Sequence, residues 1–101
     1  SMEISEHRIA FVGTGQMATA MAVGFVRSLL KPGQIAGYDP FPAAREQFLK
    51  VTGTGAVVSD SPEKVLAGAT LIVLAVKPQV MSTALQQVAA SMTGSPLVVS
   101  V

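Results

Sequence analysis

Apolar positions along this chain follow two alternating rhythms. Arg8-Ile9-Ala10-Phe11-Val12-Gly13 is a short run of large and β-branched residues that stops at a glycine, the pattern of a strand buried on both faces. From Gln16 the period lengthens. Met17, Met21, Gly24, Phe25 and Leu29 recur at helical spacing as far as Leu30, and Lys31-Pro32-Gly33 stops the helix with turn chemistry. A second strand is predicted over residues 34–38, ending at Asp39-Pro40. Pro42 suits the first turn of a helix with Ala44, Phe48 and Val51 as its apolar stripe, closed by Gly53 and Gly55. Ala56-Val57-Val58 predicts a third strand. Ser61-Pro62-Glu63 supplies an N-cap, a first-turn proline and a first-turn acid for a small helix through Leu66. Leu71 to Val76 is a continuous apolar strand, and Pro78 starts a helix whose Met81, Leu85, Val88 and Met92 share a face. Gly94-Ser95-Pro96 breaks that helix, and Leu97 to Val101 forms a fifth strand.

Strands separated by helices in this way return to one parallel sheet. The expected fold class is α/β: a Rossmann-like doubly wound parallel sheet of about five strands with helices on both faces. Residues 9–101 form the one domain. Residues 1–8 read as an N-terminal extension, with Ser1-Met2 a remnant of tag removal ahead of a natural start.

Composition narrows the function. The 101 residues are 50% hydrophobic and 13% charged, and soluble domains usually carry about 25% charged residues. That shortfall suggests a surface meant to be covered. A net charge of +1 without a Lys/Arg cluster speaks against nucleic acid as a partner. The apolar runs are far shorter than the roughly 20 residues of a membrane span, and the polar start does not suit a signal peptide, so no membrane partner and a cytoplasmic location are expected. No cysteine is present, and His7 has no second histidine to complete a metal site, so no metal is expected and His7 reads as solvated. Met17, Met21, Met81 and Met92 read as core filler. No Ser/His/Asp set or carboxylate pair appears, so hydrolytic chemistry lacks its parts.

Gly13-Thr14-Gly15-Gln16-Met17-Ala18 fits G-x-G-x-x-A, set between a buried strand and a helix as dinucleotide binding requires. Gly13 would permit the tight turn, Gly15 the approach of a pyrophosphate, and small Ala18 close packing of helix on strand. Free N–H groups at the helix start would hold the phosphates. A plain strand-to-helix turn is the blander alternative. Asp39 ends the second strand near the spacing of about 20 residues expected for the acid that meets the adenosine ribose. Such a carboxylate accepts from a 2'-hydroxyl and repels a 2'-phosphate, which favours NAD. Arg45, early in the next helix, pulls toward NADP unless it only decorates a solvated face.

Ala75, Val76, Lys77 and Pro78 end the fourth strand and should face the same crevice, with the apolar strand end against the nicotinamide riboside. Lys77 reads equally well as a snorkelling side chain, and Pro78 as a helix initiator. Ser59, Asp60 and Ser61 follow the third strand and are candidates for the adenine edge, Ser61 more simply as an N-cap.

Ile9 to Met21 with Gly24, and above all Leu74-Ala75-Val76-Lys77-Pro78-Gln79-Val80-Met81, resemble the amino terminus of pyrroline-5-carboxylate reductase. Leu97 to Ser100 with Val101 is similar to the strand that precedes that family's Ala-Ala-Gly segment. The resemblance implies hydride transfer from NADPH or NADH to the imine carbon of 1-pyrroline-5-carboxylate, giving L-proline, in a homo-oligomer. It further implies that a carboxyl-terminal helical domain supplies the substrate pocket and the dimer contact. This chain would then be the cofactor domain alone, without catalytic residues of its own. Gln16 stands where the family usually has Asn, Asp39-Pro40 where many NADP-preferring members have Ser or Thr, and the family's adenine-touching Asn has no match near Asp60. Two other functions fit the same residues: the cofactor domain of another dehydrogenase, such as one acting on β-hydroxyacids, and a non-catalytic NAD(P)-binding module.

Overall fold

In a computed structural model, residues 3–101 are described, so the reading of Ser1-Met2 as a tag remnant lies outside the described residues. Five strands, β1 (Ile9–Val12), β2 (Ile35–Tyr38), β3 (Val57–Ser59), β4 (Leu71–Leu74) and β5 (Leu97–Ser100), form one sheet in the order β3-β2-β1-β4-β5. Every neighbouring pair is parallel. The expected doubly wound sheet is therefore present, with its reversal of strand order between β1 and β4.

Side chains alternate across β1, so each face of the sheet collects its own core. Ala10 and Val12 join Ile72 and Leu74 under α3 (Pro62–Leu66) and α4 (Met81–Ser91), with Val65, Leu66, Ala84 and Val88 as the helical contribution. Ile9 and Phe11 join Ile35 and Val73 under α1 (Gln16–Ser28) and α2 (Pro42–Thr52), where Ala18, Ala22 and Phe48 complete the layer. Gly37, opposite Phe11 in the register, makes this second layer possible. A Cβ at Gly37 would come within 2.8 Å of the Phe48 ring, which instead packs edge-on against Phe11 at 5.7 Å.

Several helical faces are rotated from their expected positions. In α2 the buried pair is Phe48 and Thr52, while Val51 lies exposed. Positions four apart share a face, and the Thr52 hydroxyl donates to the Phe48 carbonyl at 2.8 Å, so its burial leaves no unsatisfied group. In α4, Ala84 and Val88 face the core with half-buried Met81, whereas Leu85 and Met92 face outward. The helix packs beside α3 and turns Ala84 and Val88 into the shared core, which leaves the Leu85 side toward solvent. Met21 does pack on the core, but Met17 is exposed because it lies on the outer side of the first turn of α1, whose inner side is taken by fully buried Ala18. Pro78 opens a 3-10 turn through Val80, and the α-helix starts only at Met81.

The segment before β1 is fastened to the body. Gln34 donates to the carbonyls of Ile4 and His7 at 2.8 and 2.9 Å. His7, expected to be solvated, is half-buried with its Nδ1 3.0 Å from the Thr70 hydroxyl, because Arg8 and Thr70 bring the starts of β1 and β4 together. Among the described residues, no helix is long and apolar enough to cross a membrane.

Candidate functional site

The turn after β1 is shaped first by packing. The Gly13 N–H donates to the Tyr38 carbonyl at 2.7 Å, and the Ala75 N–H donates to the Val12 carbonyl at 2.9 Å. Gly13 is thus wedged between the ends of β2 and β4 with φ at +97°. A Cβ there would strike the Ala75 carbonyl, so glycine is required both by conformation and by space.

Gly15 is a different case. Its φ of −76° suits any residue, and a Cβ would meet nothing within 4 Å. Neither the backbone nor the packing asks for glycine at this position. Gly15 is the N-cap of α1, and no side chain caps the helix, so the N–H groups of Gln16, Met17 and Ala18 open onto the space above Gly15. Ala18 itself is fully buried against the sheet, holding the helix start close to it. A cradle that a side chain would fill, facing free N–H groups at the positive end of a helix of 13 residues, fits a pyrophosphate.

Asp39, expected to face a ribose, is 8% exposed and turned inward. Its Oδ2 accepts from the Thr14 N–H and its Oδ1 from the Phe41 N–H, both at 2.9 Å. Its carboxylate therefore pins the glycine turn to the end of β2. Its own N–H donates to the Ser59 carbonyl at 3.3 Å, which places Ser59 beside it. Arg45 does not simply decorate a solvated face: its Nη1 donates to the Asp39 carbonyl at 2.9 Å, which fixes the guanidinium at the sheet end. The Ser61 hydroxyl accepts from the Lys64 N–H at 3.5 Å, the N-cap role, and Asp60 is exposed.

Half-buried Ala75 and Val76, with exposed Lys77 and Pro78, leave β4 directly beside Gly13. All twelve candidate residues, Gly13 to Ala18, Asp39, Arg45 and Ala75 to Pro78, thus follow the carboxyl ends of β1, β2 and β4. Thr14 is the contributor that sequence reasoning underused. Its N–H is the anchor for Asp39, and its buried hydroxyl has no partner. The one available signal was Gly37, whose missing side chain admits the Thr14 methyl.

No group of three or more His, Cys, Asp or Glu side chains among the described residues is arranged to hold a metal ion. A concavity of about 450 Å³ lined by His7, Thr70, Thr93 and Ser95 lies at the opposite end, where β4 and β5 begin. Ligands of open parallel sheets sit beyond the other ends of the strands, so this concavity is not the candidate site.

Known proteins match both the chain and its fold. A pyrroline-5-carboxylate reductase of Pseudomonas aeruginosa is 35% identical over 97% of this chain and 35% of its own length. The structure of a pyrroline-5-carboxylate reductase from Coxiella burnetii superposes with a TM-score of 0.85 at 22% identity, covering 96% of this chain and 36% of that one. A Plasmodium falciparum pyrroline carboxylate reductase with NADP bound gives a TM-score of 0.70 at 25% identity over 93% of this chain and 32% of that one. The chain spans about a third of the length of the curated relatives it matches. With residues 8–101 matched by the family model described as NADP oxidoreductase coenzyme F420-dependent, the chain belongs to that family.

Proposed function

We propose that residues 9–101 are the NADP(H)-binding domain of a cytoplasmic pyrroline-5-carboxylate reductase, which reduces the C=N bond of 1-pyrroline-5-carboxylate to give L-proline. The similarity to reductases of that name over nearly the whole chain supports the substrate. The bound nicotinamide supplies the hydride for such a reduction. This chain's own residues do the holding. The N–H groups of Gln16 to Ala18 bind the pyrophosphate above Gly15. Ala75 and Val76 offer an apolar wall at the end of β4, and Lys77 and Pro78 carry the chain along the rim. The residues that orient the imine belong to a helical domain within the two thirds of the relatives that this chain does not span.

One observation carries the choice of NADP over NAD. Both Asp39 oxygens already accept backbone N–H groups, while Arg45 is anchored on the Asp39 carbonyl. An inward carboxylate is a poor acceptor for a 2'-hydroxyl, and a fixed guanidinium beside it is a good partner for a 2'-phosphate.

Calorimetric titration of the 101-residue chain with NADPH and NADH tests the cofactor, and tighter NADH binding overturns the preference. A chimera carrying this chain in place of the matched third of the Pseudomonas aeruginosa reductase tests the substrate. It should oxidise NADPH only when 1-pyrroline-5-carboxylate is added. A folded, NADPH-binding chimera without that activity overturns the substrate assignment.

A further inference from the structure

Four phenylalanines are present in the chain. Phe11 and Phe48 are fully buried, and Phe25 packs on the same core layer. Phe41 is 69% exposed, more than any other large apolar side chain among the described residues. It buries little in the fold, yet its backbone is held firmly. The Phe41 N–H donates to Asp39 Oδ1 at 2.9 Å, and Phe41 is the N-cap of α2 with Pro42 at the first helical position. Its ring thus projects into solvent from a fixed backbone position at the ligand end of the sheet, one turn from Arg45.

The chemistry of the nucleotide says what that partner is. In adenosine the base and the 2'-oxygen leave adjacent ribose carbons, so a 2'-phosphate held by Arg45 brings the purine alongside the residues that flank Asp39. Two aromatics stand among them, and Tyr38 is taken up by the core, with its hydroxyl accepting from Gln87 at 3.3 Å, which leaves Phe41. We infer that Phe41 stacks on the adenine of the bound dinucleotide and so determines affinity for the adenosine half of the cofactor. This assignment rests on the proposed NADP(H) site. Stacking of this kind tolerates any planar base, so Phe41 adds affinity for the nucleotide without reading the edge of its base.

The test uses adenosine 2',5'-bisphosphate and NADPH as probes against the whole chain. Phe41→Ala should weaken both by about tenfold while leaving the melting temperature unchanged, since the ring is exposed. The chain has no tryptophan, so Phe41→Trp places a single indole at the site. Its emission should be quenched on saturation with adenosine 2',5'-bisphosphate, with affinity retained. If the unaltered chain binds neither probe, the cofactor site fails and this assignment with it. If it binds both, but Phe41→Ala binds them equally well or the indole emission does not change, the stacking assignment alone is overturned.

Discussion

The carboxylate of Asp39 accepts the backbone N–H of Thr14 at 2.9 Å, tying the glycine turn after β1 to the end of β2. The same carboxylate caps the Phe41 N–H, so one side chain sets both the glycine turn and the start of α2. Two backbone donors depend on it.

Asp39→Asn should therefore destabilise the fold. The amide has one oxygen for two N–H donors, and its NH₂ would face one of them, which costs about 1–3 kcal/mol for a buried charged acceptor. Urea denaturation followed by circular dichroism should show a lower midpoint with an unchanged slope, and NADPH binding should weaken in parallel. An unshifted midpoint would mean that the latch contributes nothing.

The two glycines of the turn should separate cleanly. Gly13→Ala meets both the Ala75 carbonyl and a positive φ, so a loss of roughly 2–4 kcal/mol in stability is expected. Gly15→Val keeps an allowed backbone and open space for its side chain, so the melting temperature should hold while NADPH binding falls below detection. Calorimetry that finds equal NADPH affinity in Gly15→Val would refute the cradle.

Arg45 should decide the cofactor. Arg45→Gln removes the charge-assisted contact to a 2'-phosphate, so NADPH affinity should fall roughly ten- to hundredfold with NADH affinity unchanged. Equal losses for both nucleotides would assign Arg45 to holding the Asp39 carbonyl and nothing more.

The outer edge of β5 should pair with a second copy of the isolated chain. The N–H groups of Leu97 and Val101 donate to the carbonyls of Thr70 and Leu74 at 2.9 and 3.1 Å, so by alternation those of Val98 and Ser100 face outward. An antiparallel partner about Val99 matches Val98 to Ser100 and covers Leu97 and Val101, both more than half exposed. Sedimentation should give a concentration-dependent dimer that Val101→Lys weakens. A strict monomer at high concentration would rule this edge out.

The features legible in the sequence were those whose cause lies within a few residues. A buried strand announces itself as a continuous apolar run, a helix start as Ser61-Pro62-Glu63, and a tight strand-to-helix turn as Gly13-x-Gly15, because local sterics and capping decide each. Parallel order then follows from the alternation of strand and helix. Most of the candidate residues were legible in the same way, because they stand where a strand gives way to a turn or a helix start; Arg45, one turn into α2, carries no such local signal.

What only the tertiary structure decided were the partners. Whether Asp39 faces a ligand or the Thr14 N–H depends on where the ends of β1 and β2 meet in register, and His7 finds Thr70 only because β4 lies beside β1. The choice of Thr52 over Val51, and of Ala84 over Leu85, likewise waits on how each helix is turned against its neighbours. Periodicity specifies that a helix has an apolar face, but the angle at which that face meets its neighbour is set by the packed volume of residues distant in the chain.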